Sequence, residues 1–205
     1  MGKAVKLQVA TSNPGKLREY RALAGENPLE IETLPRLAEL PAFAEDAPTF
    51  AENSVGKALH YSRFSDQLLI ADDSGLVVPS LGGVPGVHSA RYAGPNASDA
   101  DRVRKLLSEL SGKTGEERRA RFVCVLTLAQ RGRALAVFSD SVEGDIAEAP
   151  HGTAGFGYDP VFYFPVLGRT YAEIAREQKN EYSHRGRAFR KLMLYLLSPE
   201  SHAAV

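Results

Sequence analysis

The run Leu68-Leu69-Ile70-Ala71 is apolar throughout and leads straight into two adjacent carboxylates, Asp72-Asp73, followed by Ser74-Gly75. A short continuous apolar run bounded by turn residues reads as a fully buried strand. Carboxylates at the end of such a strand repel one another, and the fold must hold them. Two readings fit the residues. One is an acidic turn, because Asp-Ser-Gly is common turn chemistry. The other is a pair of hard oxygen donors suited to a divalent cation such as Mg²⁺. Glu45, in a separate acidic pair with Asp46, joins that group only if the fold brings it to Asp73.

The rest of the chain predicts strands and helices in mixture. Residues 5–9 alternate apolar and polar with the strand period, residues 10–16 (ATSNPGK) are dense in turn formers, and Leu17 opens a helix with Tyr20, Leu23 and Ala24 on its face. Strand, polar loop and helix start together aim backbone N–H groups at whatever sits above the strand. Residues 27–48 read as an irregular excursion with a short strand at 29–33. Thr49 and Glu52 form a capping-box pattern ahead of a helix whose inner face is expected at Ala51, Val55, Ala58, Leu59 and Ser62. Leu76-Val77-Val78 reads as a second strand, and residues 82–95 as a glycine- and proline-rich loop. Ser98 caps a helix carrying Val103, Leu106, Leu107 and Leu110. Two long strands, 121–130 and 134–143, meet at Arg131-Gly132-Arg133. A loop at 152–160, a strand at 161–164, a short helix at 171–178 and a longer one at 183–197 complete an α/β chain. Residues 1–205 are expected to form a single domain of two lobes around a cleft.

Composition narrows the chemistry. Lys+Arg and Asp+Glu both number 25, which gives no basic surface for non-specific nucleic-acid binding, and a 43% hydrophobic chain without net charge is not disordered. The single cysteine, Cys124, excludes an intramolecular disulfide and a cysteine zinc site, and it lies in an apolar strand as an inert thiol. The histidines lack zinc-ligand spacing. No apolar run reaches bilayer length, the first residues lack the apolar stretch of a secretion signal, and Lys6 stands where a myristoylation motif needs Ser or Thr. A soluble, cytoplasmic protein without membrane or nucleic-acid partners is expected.

Three loops carry ligand chemistry. Ser12-Asn13-Pro14-Gly15-Lys16 offers hydroxyl, amide and ammonium donors at a helix start, but Ala10 and Leu17 exclude a P-loop. Gly155-Phe156-Gly157-Tyr158-Asp159-Pro160 sets aromatic rings between glycines, where a flat ligand can approach; the alternative is a tight turn with its aromatics in the core. Lys179 and Ser183-His184-Arg185-Gly186-Arg187 form a donor-rich group at a helix start. Cations there oppose the helix dipole and need a compensating anion.

TSNPGK, F-x-E-N-S, ADDSGL, LGGVPGVHSARYAG, GFGYDPVF and SHRGRA occur in the order found in the inosine triphosphate pyrophosphatase family, the non-canonical purine nucleoside triphosphatases. The chain resembles that family from about residue 5 to 197. The resemblance implies a mixed sheet split into two lobes around a nucleotide-binding cleft, a homodimer, and Mg²⁺-dependent hydrolysis of ITP, dITP and XTP to the monophosphate and pyrophosphate. It implies a triphosphate loop at residues 11–16 (Thr11, Ser12, Asn13, Lys16), a general base at Asp73, and metal ligation by Asp73, Asp72 and Glu45. Ser74 resembles a substrate contact. Phe156, Gly157, Tyr158, Asp159, Lys179, His184 and Arg185 resemble the group around base and sugar. Two other readings stay open: a Maf-type pyrophosphatase of modified pyrimidine triphosphates, and a nucleotide-binding regulator without catalysis.

Overall fold

In a computed structural model, which describes residues 5–25 and 27–198, the acidic pair does not end its strand. β3 (Leu68–Val77) runs unbroken through Asp72-Asp73-Ser74-Gly75, which corrects both the expected turn and the separate strand at 76–78. Neighbouring residues of a strand point to opposite faces, so the two carboxylates enter different surroundings. β3 lies inside a seven-stranded sheet of order β2-β1-β3-β4-β5-β6-β7. β1 (Val5–Val9) pairs in parallel with β2 (Leu29–Thr33) and with β3, with Val9 opposite Thr33 and Ile70. β6 (Phe162–Phe164) pairs antiparallel with β5 (Arg133–Ile146) and with β7 (Arg169–Thr170), which makes the sheet mixed. β4 (Arg119–Gln130) reaches β5 through Arg131 and Gly132, at φ 49° and 76°. Two successive positive φ values are the backbone of a tight hairpin turn matched to strand twist.

The chain divides into two compact units. The first comprises residues through Asp73, Cys124–Asp140 and Arg185 onward. Its helices are α1 (Pro14–Ala24) and α2 (Phe50–Tyr61), with nearly all of α5 (His184–Leu197). Leu7, Val9, Ile70 and Leu126 from the strands pack with Tyr20 of α1 and Phe189 and Leu192 of α5. α1 starts at Pro14, three residues before the expected Leu17, because Asn13 caps it and proline's missing N–H costs nothing at the first helical position. Thr49 caps α2 as expected, its Oγ1 accepting from the Glu52 N–H at 3.2 Å. The buried face of α2, however, is Asn53, Ser54, Lys57, Ala58 and Tyr61, while Ala51 is exposed. A polar helix face can go inside because it has partners: Ser54 Oγ lies 2.8 Å from Thr127 Oγ1.

The second unit comprises Ser74–Val123 and Ser141–His184. Leu76, Val103, Leu106, Phe122, Val142, Phe162 and Tyr171 form its core. α3 (Asp99–Glu109) begins at a capping box between Ser98 and Asp101. The expected helix at 171–178 is instead a single 3₁₀ turn, Tyr171–Glu173, followed by α4 (Arg176–Tyr182). Glu173 accepts the Thr170 N–H at 2.8 Å and closes the turn on itself, and Ile174 and Ala175 then run extended. No helix among the described residues is long and apolar enough to cross a membrane.

Candidate active site

α1 brings Lys16 and Glu19, three residues apart and so on one side of the helix, to the Asp72 face of β3. Lys16 Nζ lies 2.9 Å from Asp72 Oδ2. Arg185, in the first turn of α5, places Nε 3.5 Å from the same oxygen and Nη1 2.5 Å from Glu19 Oε2. Asp72, Glu19 and Arg185 are all buried. Burial opposes charge on Asp72, but Lys16 and Arg185 outweigh it and hold its carboxyl well below the usual range. Burial likewise opposes the Arg185 cation, and Glu19 and Asp72 outweigh it, so Arg185 stays charged. The anion that a cationic α5 start requires is thus supplied from within the chain. Beside this group Tyr20 is pushed well up, by burial and the Asp72 charge, and the Cys124 thiol is pushed up to about 12, chiefly by burial. The thiol is inert at neutral pH.

Asp73 has different surroundings. It is 5% exposed, and its Oδ2 has no hydrogen-bond partner. Burial raises its pKa to about 6; Lys16 and a hydrogen bond with Asn53 pull against that, while Glu45 and Asp72 add to it. Lys57 Nζ lies 2.7 Å from Glu45 Oε1. Burial opposes its charge, but Glu45, Asp72 and Asp73 together raise its pKa. α2 therefore delivers Asn53 and Lys57, four residues apart, to the acidic group. Asn53 stands in the F-x-E-N-S motif but carries no expected role, and Lys57 is not singled out by the sequence; their shared signal is a polar i, i+4 pair on a helix expected to bury apolar residues there.

The loop before α1 keeps much of its donor capacity for itself. Asn13 Oδ1 accepts from the N–H groups of Gly15 (2.8 Å) and Lys16 (3.2 Å), and Thr11 Oγ1 accepts from the Asn13 N–H at 3.1 Å. These three amides are engaged within the loop itself. The exposed Ser12 and the Lys16 ammonium remain as donors. A cavity of about 730 Å³ adjoins the loop, lined by Thr11, Ser12 and Asn13 on one side and by Glu45 and Lys57 on another.

In the second unit Lys179 and Asp159 form a buried pair with Nζ 2.5 Å from Oδ2. The same carboxylate accepts the Phe156 N–H at 2.9 Å. The Lys179 ammonium sits 5.1 Å from the centroid of Phe156 and 5.6 Å from that of Tyr171. Gly155, at φ +77°, is required here, because a Cβ would collide with Asp159 Oδ2. Gly157 donates its N–H to Asp99 Oδ2 at 2.7 Å, and Tyr158 donates its hydroxyl to the Ser89 carbonyl at 2.9 Å. Asp99 also accepts from Arg102, whose Nη1 donates to the carbonyls of Ala90 (2.9 Å) and Ala97 (2.6 Å). His184 stacks on Phe122, with ring centroids 4.7 Å apart and planes at 9°.

The expected residues therefore fall into two groups. Thr11, Ser12, Asn13, Lys16, Glu45, Asp72, Asp73 and Arg185 belong to the first unit; Ser74, Phe156, Gly157, Tyr158, Asp159, Lys179 and His184 belong to the second. Arg185, expected among the base contacts, is engaged by Glu19 and Asp72. Asp72 has its charge met by two side-chain cations, and among the described residues no three His, Cys, Asp or Glu side chains are grouped to hold a metal. Mg²⁺ needs no such cage, since it is commonly held by one or two carboxylates plus substrate phosphates. Asp73, with a buried unpartnered oxygen, and the nearby Glu45 are a donor set that fits it.

A mixed α/β sheet carrying a buried acidic pair at the centre of one strand, and a capped loop–helix start beside it, defines the class of protein. The chain belongs to the Ham1 family, whose model matches residues 7–195. The dITP/XTP pyrophosphatase of Geobacillus kaustophilus is 52% identical over 187 residues, covering 91% of this chain and 92% of the relative. That of Geobacter sulfurreducens is 46% identical over 191 residues, covering 93% and 96%. The solved structure of a HAM1 protein from Coxiella burnetii is similar with a TM-score of 0.82 at 39% identity, covering 94% of this chain and 98% of its own.

Proposed function

We propose that this chain hydrolyses ITP, dITP and XTP to the nucleoside monophosphate and pyrophosphate. The observation that carries the reading is the Asp73 carboxyl: buried, with one oxygen unpartnered and a pKa near 6. A carboxylate of that strength is ionised at neutral pH yet basic enough to take a proton from water. Asp73 orients the attacking water at the α-phosphorus and accepts its proton. Lys16 donates to the departing pyrophosphate, and its partner Asp72 keeps it ordered. Lys57 holds Glu45 and adds positive charge beside the phosphates. Asp73 and Glu45 would hold Mg²⁺ together with phosphate oxygens. Bound there, the ion would neutralise phosphate charge and favour the leaving group.

The second unit reads the base in this proposal. Phe156 offers a stacking face, held by the two amides that Asp159 and Asp99 accept. Hypoxanthine and xanthine present O6 as an acceptor, where adenine presents an amino donor. His184 and Lys179 carry N–H donors that match O6 and leave the adenine amino group opposed to donors. The relatives named dITP/XTP pyrophosphatase support the same substrate class.

The test is a turnover panel of ITP, dITP, XTP, ATP, GTP, dUTP and dTTP with Mg²⁺, assayed for pyrophosphate. Selective release of pyrophosphate from the first three is expected. IDP with orthophosphate would overturn the reaction, a preference for dUTP or dTTP would favour the Maf-type reading, and binding without hydrolysis would favour the regulator. The homodimer is a separate proposal, tested by the sedimentation mass.

A further inference from the structure

The cavity beside the phosphate loop is larger and more apolar than a phosphate tail calls for. About 730 Å³ is the size of a site for an organic ligand, and the wall beyond Ser12 and Lys57 is built from Leu34, Leu37, Leu40, Ala42 and Tyr61. Apolar walls give nothing to a terminal phosphate, whose oxygens need donors. They suit a flat, largely apolar group attached to it. Arg36 also lines this cavity, in a left-handed conformation at φ 54°. Its side chain is exposed and, among the described residues, makes neither ion pair nor hydrogen bond. A free guanidinium at such a wall can stack on an aromatic base.

We infer that this hollow receives a nucleoside esterified to the terminal phosphate, so that the chain also cleaves dinucleoside triphosphates carrying hypoxanthine or xanthine at one end. The inference rests on the proposed pyrophosphohydrolase. The chemistry is unchanged, because the substituent lies on the far side of the leaving group. Water oxygen bonds to the phosphorus bearing the inosine ribose, and the bond from that phosphorus to its bridging oxygen breaks. The electron pair leaves on that oxygen, one water proton passes to Asp73 and on to solvent, and the products are IMP and a nucleoside diphosphate.

The probe is P1-(5′-inosyl) P3-(5′-adenosyl) triphosphate, assayed beside ITP in the same preparation with products separated by chromatography. IMP and ADP are expected, with kcat/KM within about tenfold of that for ITP. Leu37→Trp and Ala38→Phe, which fill the hollow from a partly buried and an exposed position, should each lower kcat/KM for the dinucleotide by a further tenfold or so while ITP turnover stays within about twofold. ITP turnover reports that each variant is folded. Cleavage to IDP and AMP, no cleavage of the dinucleotide while ITP is hydrolysed, or equal cleavage by the filled variants would overturn the inference alone. Failure to hydrolyse ITP would remove the underlying reading as well.

Discussion

Glu19 and Arg185, 166 residues apart in sequence, form a buried ion pair at 2.5 Å, and Arg185 passes its second contact to Asp72. The pair ties the start of α5 to α1 and keeps the central carboxylate charged. Removing one member of a buried pair leaves the other uncompensated, at a cost of about 3–5 kcal/mol. Glu19→Ala should therefore lower the urea midpoint strongly without changing the slope of the transition. Equal midpoints for variant and parent would show that the pair carries no stability.

Asp72 and Asp73 should depend on pH in opposite directions. The native pKa of Asp72 is depressed, so its stabilising contribution is present above the unfolded value near 3.9 and is lost on acidification. That of Asp73 is raised to about 6, so without divalent cations its contribution falls as pH rises from about 4 to 6. Asp72→Asn should be less stable than the parent at pH 7 and Asp73→Asn more stable. Denaturant titrations of parent and variants at pH 7 read both signs, the Asp73 pH dependence appears between pH 4 and pH 7, and that of Asp72 appears only below about pH 4.

Catalysis should follow the ionised form of Asp73. Turnover is expected to fall on acidification as Asp73 takes up a proton, and Asp73→Asn should lose at least about a hundredfold in kcat while keeping a native circular dichroism spectrum. A variant with near-parental kcat would remove Asp73 from the role of base.

Asp99 is a positioning residue for the Phe156 loop, since it accepts the Gly157 N–H. Asp99→Ala leaves that amide unpaired, a loss of about 1–3 kcal/mol. It should appear mainly as a raised KM for ITP, with kcat less affected. Asp99→Asn retains an acceptor and should restore KM in part. Equal KM values for parent and both variants would place Asp99 outside substrate binding.

Much of this arrangement was readable from local pattern. The alternation in β1, the Thr49 and Ser98 caps and the Arg131-Gly132 turn are set by neighbours in sequence, and the structure agrees with them. The acidic stretch of β3 was misread because Asp-Asp-Ser-Gly favours turns locally, and only cations brought from α1 and α5 make a buried strand tolerable there. The roles of Asn53 and Lys57 were not legible for a related reason: Lys57 is matched by Glu45, and Asn53 by Asp73 and the Ala47 backbone, contacts that only the fold brings together. Asp99 reads as an ordinary first-turn acid of α3 until the Gly157 amide is placed beside it.

The central claim is that water held by Asp73 attacks the α-phosphorus. Hydrolysis of ITP in ¹⁸O-labelled water, followed by mass spectrometry of both products, tests it directly. The label is predicted in IMP, with unlabelled pyrophosphate. Label in the pyrophosphate would mean attack on the β-phosphorus and would contradict the account.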